Sequence, residues 1–167
     1  MKRTVLGIFV AACLASPSVL SGQSNASNCQ NVAGSAQFIL IPAPNDPFGR
    51  ILGPSTGTLR AAITALVTNL NFLPNGTIDA TSVELWVINE RDQILFDGRA
   101  TFTPVPGQPV GTVQDQLKLT VKSGTGVYEG ATGTIDVTGT GFNLFGPEAG
   151  PGKTYFQVNY NGTICRR

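Results

Sequence analysis

Residues 154–165 read Thr154-Tyr155-Phe156-Gln157-Val158-Asn159-Tyr160-Asn161-Gly162-Thr163-Ile164-Cys165. Phe156, Val158, Tyr160, Gly162 and Ile164 occupy every second position, the period of a half-buried strand rather than of a helix. The same period recurs upstream. Residues 132–140 place Ile135 and Val137 on one face, 116–122 place Leu117, Leu119 and Val121, and 93–103 place Ile94, Phe96, Gly98, Ala100 and Phe102. Residues 81–89 alternate Val83, Leu85 and Val87, and 58–68 alternate Leu59, Ala61, Ile63, Ala65 and Val67. The Ala-rich stretch 60–65 could be taken for a helix, but Gly57 before it and its Thr and Val content favour a strand. A short apolar run at 37–41 makes seven strands, and 48–52 offers an eighth.

Turn signals separate these runs: Pro54-Ser55-Thr56-Gly57, Pro74-Asn75-Gly76, Pro106-Gly107, Gly124-Thr125-Gly126 and Gly146-Pro147. No stretch carries a 3.6-residue period with caps. The expected fold is all-β, a sandwich or an up-and-down barrel.

The N-terminus bears on that choice. Met1-Lys2-Arg3 precedes about a dozen mostly apolar residues and then small and polar ones, the layout of a secretory signal over 1–22 with cleavage near 21–23. The run is too short for a transmembrane helix, which needs roughly 20 apolar residues. Val10-Ala11-Ala12-Cys13 also resembles a bacterial lipoprotein box, which would leave a lipid-anchored Cys13. The expected location is therefore secreted or periplasmic, with lipid anchoring as the alternative.

Removing the leader removes Cys13, and the pair left, Cys29 and Cys165, reads as a disulfide in an exported chain. It would close nearly the whole mature chain into one loop, worth about 4–5 kcal/mol in the chain-entropy account. In an even-numbered meander the first strand starts where the last one finishes. A bond between these two cysteines thus favours a closed antiparallel barrel of about eight strands, spanning 36–167 behind a polar lead-in at 23–35.

Composition excludes more chemistry than it suggests. There is no histidine among 167 residues, so Ser-His-Asp and Cys-His catalysis and HExxH zinc sites are out. Lys and Arg number 11 against 10 Asp and Glu, and losing Lys2 and Arg3 leaves nine against ten. That balance does not suit a phosphate-reading surface, so no nucleic-acid partner is expected. No Cys/His cluster or calcium loop is present, and no metal or cofactor is implied. Asn25-Ala26-Ser27, Asn75-Gly76-Thr77 and Asn161-Gly162-Thr163 fit the glycosylation triplet but read here as loop chemistry.

The turn at 89–92 allows a register to be proposed. Pairing Ile88 with Gln93 puts Val87 opposite Ile94, Leu85 opposite Phe96 and Val83 opposite Gly98, all on one face. The other face then carries Trp86 opposite Leu95, Glu84 opposite Asp97 and Ser82 opposite Arg99. Glu84, Asp97 and Arg99 are the best polar constellation. Inside a dry barrel, one carboxyl would be raised by its neighbour and by desolvation, and could move protons, with Trp86 as a ligand platform. On an outer face the same group is a solvated, Arg-neutralised pair.

Residues 123–135, Ser-Gly-Thr-Gly-Val-Tyr-Glu-Gly-Ala-Thr-Gly-Thr-Ile, together with the terminal Tyr160-Asn161-Gly162-Thr163-Ile164-Cys165, resemble the glycine-rich hairpin of the allene oxide cyclase/dirigent barrel superfamily, notably its secreted bacterial members. The resemblance implies an eight-stranded antiparallel barrel whose interior can hold a hydrophobic molecule. No functional residue of that superfamily can be matched to a position here. Read physically, Gly124, Gly126 and Gly130 permit a tight connection with Tyr128 packed across it. The spacing is not that of a phosphate loop, and a strand follows where a helix is required.

In a meander the connections at 69–80, 104–113 and 142–153 share one end. They carry Phe72, Leu73, Val105, Phe142, Leu144 and Phe145, either a mouth for a lipid-like guest or a plug. Trp86, Phe72, Phe142 and Phe145 are the expected ligand contacts. The first expectation for function is a secreted, non-catalytic binder of a small hydrophobic molecule. The alternatives are a cofactor-free isomerase or cyclase using Glu84 or Asp97, and a structural or surface-interaction module whose barrel is filled by its own side chains. An open interior separates the first two from the third.

Overall fold

Alternation of apolar and polar residues becomes alternation of inside and outside in the computed structural model, which describes residues 28–44, 46 and 48–166. The leader, its cleavage region and Cys13 lie outside the described residues. Eight strands follow in order: β1 (Asn28–Ile41), β2 (Arg50–Gly57), β3 (Ala62–Phe72), β4 (Ile78–Val87), β5 (Gln93–Pro104), β6 (Val113–Gly124), β7 (Thr132–Phe142) and β8 (Tyr155–Arg166). Each pairs antiparallel with the next, and β1 pairs with β8 to close the barrel. The up-and-down barrel expected from the sequence is the observed fold. Closure also leaves no unpaired sheet edge. No helix among the described residues is long and apolar enough to cross a membrane.

The closing seam starts earlier than the sequence suggested. Residues 28–35, read as lead-in, are strand, and β1 pairs with β8 from Asn28 opposite Arg166 to Ile39 opposite Tyr155. Their polar side chains face outward, as where Thr163 Oγ1 donates to Asn31 Oδ1 at 3.1 Å, while Val32 and Ala36 turn inward and are buried. Cys29 lies directly opposite Cys165 and the two form a disulfide, as expected. The segment proposed at 48–52 is β2, displaced to begin at Arg50, with Phe48 left in the preceding loop.

One end of the barrel carries the disulfide and the connections at 58–61, 88–92 and 125–131. Its interior is filled. Trp86 meets Phe96 and Tyr160 edge-on, with ring centroids 5.5 and 5.3 Å apart, an arrangement aromatic quadrupoles favour. Ile94, Ile135, Ile164 and Val32 complete this layer. The buried Tyr160 hydroxyl accepts from Leu59 N at 3.0 Å and donates to Thr56 O at 2.8 Å, fixing the β2–β3 connection.

The glycine-rich hairpin forms a clasp at this end. Its short 3-10 turn (Gly126–Tyr128) sits on the β4–β5 turn. Thr125 Oγ1 donates to Arg91 O at 2.6 Å and accepts from Gln93 N at 3.1 Å, and Val127 N donates to Asp92 Oδ1 at 3.0 Å. Gly126 has φ +59°, and a Cβ there would run into Asp92 Oδ1 and Arg91 O. Glycine is required for both reasons.

The β4–β5 register differs by one residue from the pairing proposed above. Val87 pairs with Gln93, Trp86 with Ile94, Leu85 with Leu95, Glu84 with Phe96, Val83 with Asp97 and Ser82 with Gly98. Asn89 Oδ1 accepts from both Arg91 N and Asp92 N at 2.9 Å, folding 88–92 into a five-residue turn instead of four. A one-residue slip exchanges the faces of a strand. Ile78, Ala80, Glu84 and Trp86 are therefore buried inside, while Val83, Leu85 and Val87 lie half-exposed outside. The pattern misleads because β4 is apolar on both faces: Leu85 meets Leu95 and Val83 meets Leu66 on the outer surface.

Candidate functional site

At the end opposite the disulfide, small side chains occupy inward positions. Ala65 on β3, Ala80 and Ser82 on β4 and Ala100 on β5 leave space that the aromatic residues fill at the other end. Together with Phe38, Ile51, Phe102, Leu117 and others they enclose a cavity of about 40 Å³, enough for a few water-sized groups. Above it, under the loops, lies a rim hollow of about 290 Å³ lined by Leu40, Phe48, Leu70, Leu144, Ala149 and neighbours. Ile51, Val67, Phe102 and Phe156 belong to both walls, so the hollow and the cavity adjoin.

Two carboxylates face this space. Glu84 is 5% exposed, with Trp86 Nε1 donating to Oε2 at 3.2 Å and Ser82 Oγ to Oε1 at 3.4 Å. Burial pushes its carboxyl from 4.5 up to about 7, although both hydrogen bonds pull the other way. Asp115 on β6, between Phe102 and Gly139 in the ladder, is also 5% exposed. Burial first, and the Glu84 charge second, raise it to about 7. Its Oδ1 is buried with no hydrogen-bond partner. Two acids that repel each other in a dry site lose their protons in separate steps as a pair. Near neutral pH, the pair holds a proton that neither isolated group would keep.

The constellation expected from the sequence is thus replaced. Glu84 points inward, but Asp97 and Arg99 lie on the outer face, where Lys122 Nζ pairs with Asp97 Oδ1 at 2.9 Å. The partner of Glu84 across the interior is Asp115. It was legible: Asp115 shares the alternation of Val113, Leu117 and Leu119, so tracing that face two residues back from Leu117 reaches it.

The expected ligand contacts are placed elsewhere too. Trp86 is 1% exposed and packed into the filled layer. Phe72, at the end of β3, is 68% exposed. Phe142 stacks on Tyr155 with centroids 4.6 Å apart, and Phe145 packs against the core. None of the four lines the cavity or the rim hollow. The apolar loops act in part as the plug foreseen for them: Leu144 and Phe145 pack down on the core, and Leu144 N donates to Gly111 O at 2.9 Å, joining two loops. Thr154 holds that loop in turn, its Oγ1 donating to Asn143 O at 2.6 Å.

No group of three or more His, Cys, Asp or Glu side chains able to hold a metal ion occurs among the described residues. Comparisons with family models, with curated proteins and with solved structures find no match to this chain.

Proposed function

We propose that this barrel binds a small, largely apolar molecule in its loop-end half, with the apolar part against Ile51, Val67, Phe102 and Phe156 and a polar group at Glu84 and Asp115. One observation carries the reading: a buried acid pair faces an apolar cavity that adjoins a hollow under the rim. A barrel serving only as a filled scaffold gains nothing from two buried acids, each of which costs stability when ionised. The disulfide is compatible with a non-cytoplasmic setting, and with the basic-apolar leader it supports export. A relationship to the allene oxide cyclase/dirigent superfamily is part of this proposal and rests on the glycine-rich hairpin at 123–135.

The test uses N-phenyl-1-naphthylamine, an uncharged dye whose fluorescence rises in apolar surroundings. Saturable enhancement is expected with the purified oxidised protein, and Ala100→Leu, which fills the cavity from its wall, should weaken it at least ~tenfold. Absence of enhancement would favour the filled structural module.

A second reading rests on the same carboxylates. A Glu84 carboxyl near 7 is suited to take a proton from one position of a bound molecule and return it to another, an isomerisation needing no cofactor. Turnover of that kind should be lost in Glu84→Gln and kept in Asp97→Asn.

A further inference from the structure

The interior charge is one-sided. Seven of the eight lysines and arginines among the described residues are exposed, and the half-buried eighth, Arg166, sits over the Tyr128 ring at the disulfide end. Around the cavity, β4 contributes Ser82 and Glu84, and β6 contributes Asp115. β1, β2, β3, β5 and β8 contribute only Phe38, Ile51, Ala65, Val67, Ala100, Phe102 and Phe156. β7 presents Gly139 and Gly141 inward. Among the described residues no cation faces Glu84 or Asp115, and Asp115 Oδ1 is an acceptor without a donor. A buried carboxylate left in that state is destabilising, so a ligand supplying both a donor and a positive charge gains most from the site.

Resting on the binding reading above, we propose that the ligand is an amphipathic amine, its ammonium seated between Glu84 and Asp115 and its apolar tail directed toward the rim hollow. The ammonium donates to Asp115 Oδ1 and to Glu84, in charge-assisted bonds roughly twice as strong as neutral ones. A pair retaining one proton carries one negative charge, so a single ammonium makes the buried complex neutral. A carboxylate or phosphate head adds charge of the wrong sign. A hard metal cation is poorly served, because calcium takes about 6–8 oxygen ligands and the cavity offers two carboxylates and one hydroxyl.

Three probes with the same tail separate the cases: octylamine, 1-octanol and octanoate, titrated calorimetrically into the purified oxidised protein at about pH 7. Octylamine should bind at least ~tenfold more tightly than 1-octanol, with octanoate weakest. Asp115→Asn should reduce that preference to below ~threefold. Lowering the pH to about 5, where both acids are protonated, should do the same in the unaltered protein. Equal or tighter binding of 1-octanol or octanoate overturns the amine assignment and leaves the apolar site standing. An octylamine preference that survives both Asp115→Asn and Glu84→Gln overturns it as well, by placing the amine elsewhere. If none of the three probes binds, the binding reading fails along with it.

Discussion

The two halves of the barrel interior share the same eight strands and differ in what those strands point inward. At the disulfide end Trp86, Phe96 and Tyr160 interlock, with Ile94, Ile135 and Ile164 around them. At the loop end Ala65, Ala80, Ser82 and Ala100 leave a cavity, and Glu84 and Asp115 face it. Moving a few residues along any strand passes from one regime to the other. Stability is thereby concentrated where nothing needs to enter, and the region with room for a ligand carries the unfavourable groups. A functional site built on rigid strands and braced by a packed layer beneath it keeps its geometry without contributing to stability itself.

The sharpest way to break this contrast is to truncate the centre of the filled half. Trp86→Ala should cost about 3–5 kcal/mol in urea unfolding. A loss below ~1 kcal/mol would mean that the aromatic layer is not the stabilising half. Next comes the covalent seam. Replacing Cys29 and Cys165 together by Ser should cost about 2–5 kcal/mol, with the circular dichroism of the barrel retained in the folded variant.

In the hollow half the predicted sign reverses. Glu84 and Asp115 have folded-state pKa values near 7, raised above their ordinary 4.5 and 3.8. Between these limits the two acids hold more protons in the folded protein than in the unfolded chain, so their contribution to stability falls as pH rises. It is greatest below about pH 4, declines through neutrality and levels off above the folded values. Each pH unit over which one extra proton is retained is worth about 1.4 kcal/mol. Asp115→Asn should flatten this decline and stabilise the protein at about pH 8 by ~1–3 kcal/mol, measured by unfolding midpoints across pH. A variant less stable at that pH would contradict the cost assigned to the buried acid. The smallest effect is expected from Ala100→Leu. It should change stability by no more than about 1 kcal/mol in either direction, because the new side chain enters existing space.

How far the sequence anticipates this division depends on the strand. β5 and β8 bury one clean face, so their alternation gave the strand and the residues that share a face. The two remaining cysteines then supplied the closure. β4 defeats the same reasoning because Leu85 and Val83 find apolar partners on the outer surface, and only the five-residue turn held by Asn89 selects the register. Half of the acid pair was nevertheless visible as Glu84. Its partner went unseen because a four-residue turn sets Glu84 beside Asp97 in the ladder, whereas the observed register turns Asp97 outward and leaves Glu84 facing Asp115 through the interior. The β1 segment at 28–35 was hidden for another reason: its polar outer residues are typical of a linker, and only pairing with β8 makes them strand.

The pairing of Asn28 with Arg166 has a directional consequence. Chain attached before the first strand and chain attached after the last both leave the barrel at its filled end. The loops over the hollow stand at the opposite pole, roughly 25–30 Å away for tilted strands of this length. Any tether joined through either terminus would hold the barrel like a cup on a stem, its rim facing away from the surface that anchors it.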